Sequence, residues 1–390
     1  MRDFLQQART FHADLVALRR DLHRHPERSF HEERTARVAA DAVAALGFDV
    51  RRGVGGHGVV AEIGAGGPTV ALRADMDALP ITESNDVDYR STVEGVMHAC
   101  GHDAHTAMLV GAARLLADAH AAGGLTGRVR LLFQPAEEES DAQNRSGARH
   151  MIDGGAMAGV DALFALHVGP HLPAGKVFTR EGPIMAGSDT FTAHVLGRGS
   201  HGARPDAGRD AIVLAAHVVL AAQNAVARRI SPMSSGVLTL GTVHGGTAEN
   251  VIADRVSFDG TMRYFDPEVR RRLRGALGEA LAVADALGGG HELELREGYP
   301  PTINDAGTTR IATEAARAVL GQDAVWDAEP MMGTEDFAIL LEEAPGTLLW
   351  LGAAPERARE LHRPDMDIDE SVLPAGAAVL AASAVAALRR

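Results

Sequence analysis

The stretch RVRLLFQPAEE, residues 128–138, is an apolar run that stops at Gln134-Pro135 and is followed at once by the acids Glu137 and Glu138. A short run rich in Val, Leu and Phe, closed by proline, reads as a β-strand with chemistry at its carboxyl end. The same pattern recurs on both sides of it. TVALRAD (69–75) ends on Asp75, with Asp77 just beyond, and ALFALHV (162–168) carries His167 near its end. GVVAEIG (58–64) is a further strand, and TAMLVGAARLLADAHAAG (106–123) is helical in pattern. Strands alternating with helices predict an α/β layer fold on a largely parallel or mixed sheet. In open sheets of this kind ligands gather beyond the carboxyl ends of the strands, so these polar residues are expected to share one crevice.

A chain of 390 residues suits two domains, or one large domain carrying an insertion. From Gly182 the texture changes. SDTFTAHVLG (188–197), GVLTLGTVHGG (236–246), ADRVSFDGTMRYF (253–265) and HELELREGY (291–299) alternate apolar and polar residues, while 210–230 and 267–287 read as helices, the second opened by Pro267. The order βαββαβ is that of a ferredoxin-like unit. It divides the chain into a first domain of residues 1–181 and 299–390 and an inserted domain of 182–298. After it, TLLWLGAA (347–354) returns to α/β texture.

Composition excludes several classes of function. With 52 acidic against 38 basic residues and a formal charge of −14, a phosphate backbone is repelled, so no nucleic-acid partner is expected. The first 27 residues carry charges throughout and read as a helix, without the apolar core of a secretory leader. LPAGAAVLAASAVAAL (373–388) is short and built on alanine, which suits a packed terminal helix better than a bilayer span. A single cysteine rules out an internal disulfide framework and points to the cytoplasm.

That cysteine stands in MHACGHDAHTAML (97–109), where Cys100 and His102 flank Gly101 just before a helix. Thiolate and imidazole at this spacing can face one borderline cation, and the glycine lets the backbone bend between them. Glu138 and His167 at strand ends, and His362 in the loop ELHRPDMD (360–367), complete a set of S, N and O donors sufficient for two divalent ions. Glu137, left unbound, can then take a proton. Each residue alone also has a plain reading, as core thiol, solvated acid or structural histidine. Activation of Cys100 as a nucleophile by His102 is a further alternative.

The motifs LRADMDALP (72–80), MHACGHDAHTAML, LLFQPAEE (131–138), ALHVGPHLPAG (165–175), GSHGARP (199–205), GGTAENVIADRVSFDGTMR (245–263), MGTEDFAILLEEAPG (332–346) and LGAAPERARELHRPD (351–365) together resemble the dinuclear-metal amidohydrolases related to aminoacylase and carboxypeptidase G. Within them the sequence is most similar to the branch of hippurate hydrolase and indole-acetyl-amino-acid hydrolase. The resemblance covers nearly the whole chain in the same order. It implies an α/β, mixed-sheet, zinc-peptidase-like catalytic domain interrupted by the ferredoxin-like satellite, a homodimer or dimer of dimers, and two Mn²⁺ or Zn²⁺ ions. It further implies Cys100, His102, Glu138, His167 and His362 as metal ligands and Glu137 as general base. In the satellite it implies that His201 steadies the substrate carbonyl in a partner subunit's site, and that Asn250 and Arg263 hold the substrate carboxylate. The implied reaction is hydrolysis of an N-acyl amino acid to a carboxylic acid and a free amino acid. A dipeptidase or carboxypeptidase-like activity, and a non-catalytic metal-binding role, are the alternatives. Asp75 and Asp77 stand where sister branches place a His-x-Asp ligand motif, so Asp77 is read as orienting a ligand and neither is counted as one. Glu335 and Asp336 are expected near the site without an assigned role. Two departures from the branch are the long polar loop ESDAQNRSGA (139–148) and Asp206, where a histidine often follows the proline.

Overall fold

The computed structural model describes residues 3–390. In chain order the elements are α1 (Asp3–Thr10), α2 (His12–Arg24), α3 (Glu33–Ala45), β1 (Asp49–Arg52), β2 (Val59–Gly64), β3 (Thr69–Asp75), α4 (His102–Ala121), β4 (Arg128–Gln134), α5 (Gly147–Asp153), β5 (Ala162–Gly169) and β6 (Val177–Thr179). They continue with β7 (Gly182–Met185), β8 (Gly187–Leu196), β9 (Ser200–His201), α6 (Ala211–Arg229), β10 (Gly236–Gly245), β11 (Val251–Ile252), β12 (Arg255–Tyr264), α7 (Pro267–Ala286) and β13 (Gly290–Glu297). The chain closes with β14 (Thr302–Asn304), α8 (Ala306–Leu320), β15 (Val325–Asp327), α9 (Phe337–Leu340), β16 (Gly346–Gly352) and α10 (Leu373–Ala387).

The chain forms two compact units, one of residues 1–184, 302–329 and 336–390, the other of residues 185–301 and 330–335. The first is built on an eight-stranded sheet in the order β1-β2-β4-β3-β5-β16-β6-β15. Strand β3 lies parallel to both β4 and β5, and β16 runs parallel to β5, whereas β2 is antiparallel to β4 and β6 to β16. The sheet is therefore mixed, as the alternation predicted. Its central strands read as continuous apolar runs because both faces are covered, and every residue of β3 and β16 is buried. Because β4, β3 and β5 are adjacent and parallel, their carboxyl ends open side by side.

Helix α10 covers this sheet. Its Ala- and Val-rich surface is buried almost all round, as a core helix requires. Gly376 allows it to approach α4, since a Cβ there would sit 2.0 Å from Met108 Sδ. The amino terminus differs from the single helix expected. It breaks at Phe11, whose φ of −118° and ψ of 23° are not helical, and the break lets Phe4, Ala8, Phe11 and Leu15 all join the core.

In the second unit, β8, β10, β12 and β13 form an antiparallel sheet in the order β10-β12-β8-β13. Helices α6 and α7 pack on it through Leu214, Val218, Leu273, Leu277 and Leu281. Asp210 and Asp266 cap these helices, each accepting backbone N–H bonds, and Pro267 occupies the first turn of α7.

Candidate metal centre

Gly101 decides how the thiol is presented. Its φ of +89° is left-handed, and a Cβ there would lie 2.4 Å from Val168 Cγ2, so only glycine fits between Cys100 and the first residue of α4, His102. From the end of β5, His167 brings Nε2 to 3.4 Å from Cys100 Sγ. From the turn after β4 come Glu137 and Glu138, and His362 enters from a loop where it adopts φ +59° and donates its N–H to Ala99 O. His362 Nε2 stands 3.3 Å from Glu138 Oε1.

Two triads result. Ligand atoms of Cys100, His102 and His167 lie within 4.8 Å of one another, and so do those of Cys100, Glu138 and His362. The thiol belongs to both. His102, Glu137 and Glu138 form a third group of the same closeness.

The tautomers follow from the hydrogen bonds. His102 Nδ1 faces two acceptors, Asp77 O at 2.9 Å and Asp77 Oδ1 at 3.2 Å, so Nδ1–H donates and Nε2 is the nitrogen turned to the centre. His167 Nδ1 likewise donates to Val168 O at 2.8 Å, turning Nε2 toward the sulfur. Among the described residues His102 Nε2 and Glu138 Oε1 are buried with no hydrogen-bond partner, the approach of His362 Nε2 to Glu138 Oε1 being a close contact and not a hydrogen bond. Orphaned buried polar atoms need an explanation, and a shared cation supplies one. His105 is different. Its Nδ1 bonds Asp75 Oδ1 at 2.6 Å and its Nε2 accepts from Val168 N at 2.9 Å, so neither nitrogen is open. Asp75 is closed in the same way by His105 and by Arg73 Nη1 at 2.7 Å. Ligand atoms of Asp75, His102 and His105 also lie within 4.8 Å of one another, but these hydrogen bonds already engage His105 and Asp75.

Electrostatics agree. Burial alone lowers the His102 pKa, but Asp75, Asp77 and Glu138 outweigh it and raise it to about 10, so without a cation Nε2 holds a proton that a bound metal ion would displace. Burial, then Glu138, Glu137 and Asp75, push the Cys100 thiol well above its usual range. A positive charge is what this pocket lacks. The donors S, N and O with buried acidic neighbours fit divalent cations, and a raised thiol pKa is the reverse of what an activated cysteine nucleophile needs.

Charged residues that sequence reading left without a role surround the centre. Arg73, buried within β3, donates to Asp75, to Gln134 Oε1 at 3.0 Å and to Asp336 Oδ1 at 2.9 Å. Asp336 also accepts from Gln134 Nε2 and from Ala148 N, while its own N–H donates to Glu137 Oε1 at 3.3 Å. Asp103, beside His102, is bound by His23 Nδ1 at 2.7 Å and Arg19 Nε at 2.9 Å, all of them fully buried. The signal for Arg73 was present: an arginine inside an apolar strand needs an acid partner.

The remaining predicted residues lie in the second unit. His201 on β9 pairs with Val251 of β11, and Gly202 N donates to Asn250 O at 2.7 Å, so the short ladder brings His201 and Asn250 together. Both are exposed. Arg263 on β12 donates to Thr334 Oγ1 at 3.0 Å. Burial lowers the pKa of its guanidinium, and among the described residues no carboxylate is set against it.

A family model described as peptidase family M20/M25/M40 matches residues 71–386. The chain belongs to this family. Among curated M20 relatives, it is 38% identical over 379 residues to Thermostable carboxypeptidase 1 of Saccharolobus solfataricus, covering 95% of this chain and 94% of that one. It is 38% identical over 369 residues to N-acetyl-L-cysteine deacetylase of Bacillus subtilis, covering 93% and 86%. The crystal structure of Bacillus subtilis YxeP, described as a dinuclear metal binding peptidase from the M20 family, superposes with a TM-score of 0.85 at 34% identity, covering 98% of this chain and 99% of that one. This M20 chain is accordingly a hydrolase of a metal-binding peptidase and amidohydrolase family, with donor groups matching a dinuclear centre.

Proposed function

We propose that this M20 protein hydrolyses N-acyl amino acids. The observation that carries the reading is the convergence of Cys100, His102, His167, Glu138 and His362 into two triads sharing one thiol, with Glu137 beside them. These five residues are assigned as ligands. Two divalent ions held there, Mn²⁺ or Zn²⁺, would supply Lewis-acid polarisation of the amide and a more acidic water. Glu137 accepts a proton from the attacking water and returns it to the departing amine. The backbone N–H of Asp336 donates to Glu137 Oε1 at 3.3 Å and holds the carboxylate in place.

Arg263 and Asn250 are assigned to the substrate carboxylate. A half-buried guanidinium with a hydroxyl neighbour and no acid suits a planar anion. Exposed His201 is assigned to the carbonyl oxygen of a substrate in a partner subunit's site. A second copy of the chain is supported by the apolar surface of α6 and the edge strand β10, where Ile212, Val213, Leu220 and Val243 are at least half exposed. The cytoplasm suits a lone thiol employed as a ligand.

Similarity to a protein named N-acetyl-L-cysteine deacetylase supports the acyl reading, and similarity to one named Thermostable carboxypeptidase 1 supports a peptide substrate. The test is a substrate panel. Protein loaded with Mn²⁺ or Zn²⁺ is assayed on N-acetyl, N-benzoyl and indole-acetyl amino acids and on dipeptides, ranked by kcat/KM. Highest values on acyl amino acids, abolished by EDTA, support the proposal; exclusive cleavage of dipeptides overturns it in favour of the peptidase.

A further inference from the structure

The turn that carries Glu137 and Glu138 is not held by the sheet. At Ala136 the backbone takes φ +49°, a left-handed conformation that a residue with a Cβ adopts only when its surroundings impose it. Ala136 is fully buried, so its N–H and C=O both need partners. The C=O accepts from Gly147 N at 2.8 Å. The N–H donates at 2.7 Å to Oε1 of Glu32, a side chain distant in sequence and itself fully buried at the start of α3. The same oxygen accepts from the N–H of Phe30 at 3.0 Å, and Phe30 is itself left-handed, at φ +67°. One carboxyl oxygen thus joins two non-helical, non-strand backbone segments, and one of them leads directly into the acid pair.

We propose that Glu32 is a positioning residue for the acid pair: by accepting the Ala136 N–H it holds the left-handed turn that aims Glu137 and Glu138 into the centre. The segment around it acts to the same end. Ser29 Oγ donates to Asp77 Oδ2 at 2.6 Å, the oxygen that also accepts Glu138 N at 3.0 Å, and Arg28 Nη2 reaches Glu139 Oε1 at 2.6 Å. Residues 28–32 therefore grip the turn directly at Ala136 and Glu139 and, through Asp77, at Glu138, with Glu32 fixing the dihedral angle that sets the direction of the two acids. Burial, then Asp77, push the Glu32 carboxyl up to about 8, so near neutral pH its neutral form predominates and its carbonyl oxygen is the acceptor. An amide mimics that state. The role rests on the proposed function only where activity is read; the conformation of the turn can be read without it.

The test compares Glu32→Leu, Glu32→Gln and Glu32→Leu combined with Ala136→Gly, in metal-loaded protein. Two measurements are made: kcat and KM on the best acyl amino acid, and hydrogen exchange of the Ala136 amide. Glu32→Leu removes the acceptor, and kcat should fall at least tenfold with KM within twofold, while exchange at Ala136 accelerates at least tenfold. Glu32→Gln keeps an acceptor and should stay within threefold on both. Glycine adopts positive φ without strain, so adding Ala136→Gly to Glu32→Leu should recover part of kcat, which a role confined to starting α3 would not allow. Unchanged kcat and unchanged exchange in Glu32→Leu, or a double variant as inactive as Glu32→Leu alone, overturns the proposal. Should Glu32→Leu not fold, Glu32→Gln decides, because a large loss of kcat with the acceptor retained contradicts the assigned role. If no acyl amino acid is cleaved by the wild type, the proposed function fails, and exchange at Ala136 alone judges Glu32.

Discussion

His167 Nε2 lies 3.4 Å from Cys100 Sγ across 67 residues of sequence, and its other ring nitrogen is held by Val168 O. The sulfur belongs to a second triad with Glu138 and His362. This sharing predicts unequal losses. His167→Ala and His362→Ala should each lower bound Mn²⁺ or Zn²⁺ from two ions toward one, whereas Cys100→Ala should weaken both. Equilibrium dialysis with elemental analysis gives the stoichiometry; equal retention of two ions in Cys100→Ala contradicts a shared thiol.

In the proposed reaction Glu137 carries a proton and does not bind a metal ion. Glu137→Gln should reduce kcat by about 10² to 10⁴, the usual contribution of a general base, with metal content unchanged. Elemental analysis and steady-state kinetics on one sample check both halves. Loss of metal with loss of rate would instead make Glu137 a ligand.

Asp77 fixes the tautomer of His102 through its carbonyl and carboxylate oxygens, at 2.9 and 3.2 Å. Asp77→Ala removes the carboxylate and should weaken metal affinity about 10- to 100-fold, as loss of a partner behind a ligand does elsewhere. Competition with a chromogenic chelator measures it. Affinity equal to the wild type would leave Asp77 without the orienting role.

At Gly101 a side chain has no room. Gly101→Ala must accept both a φ of +89° and a contact of 2.4 Å with Val168 Cγ2. Strain of this kind costs about 1–3 kcal/mol before the clash is counted, so the melting temperature should fall and metal binding weaken together. Calorimetry of the metal-free and loaded protein separates the two effects.

Stability of the second unit should depend on acid through Asp189. Its buried carboxylate accepts from Arg270 at 2.8 and 3.0 Å and from Arg274 at 2.8 Å. Burial alone would raise its pKa, but the hydrogen bonds from Arg270 and Arg274 outweigh it and hold it below the usual 3.8. A carboxyl whose pKa is depressed by folding contributes stability above the unfolded value and loses it as pH falls through the folded one. Asp189→Asn should therefore cost about 2 kcal/mol near neutrality, the scale of charge-assisted hydrogen bonds. The difference from wild type should shrink below about pH 3.8, which urea titrations across pH will show.

What the residues announce and what folding adds separate cleanly here. Periodicity announces β3, β4 and β5, because a strand covered on both faces must be apolar throughout, and their polar ends announce where chemistry lies. The long helices of the second unit are legible for the same reason: Asp210 and Asp266-Pro267 are local signals, written in adjacent residues. The two-residue ladder joining His201 to Val251 is not legible, since two strand residues leave no period to detect. Nor is the single helix expected at the amino terminus kept, because burial of Phe11 outweighs helical continuity.

The sequence by itself determined which donors the protein has and the order of its layers, since donor chemistry and hydrophobic period are properties of side chains and their nearest neighbours. Only the tertiary structure decided which donors remain open. His105 and His102 look alike in MHACGHDAHTAML, yet one has both nitrogens taken by Asp75 and Val168 while the other keeps a buried nitrogen with no hydrogen-bond partner among the described residues. That choice depends on hydrogen-bond partners brought from separate strands, and in a buried site each such partner, present or missing, decides the state of the atom it faces.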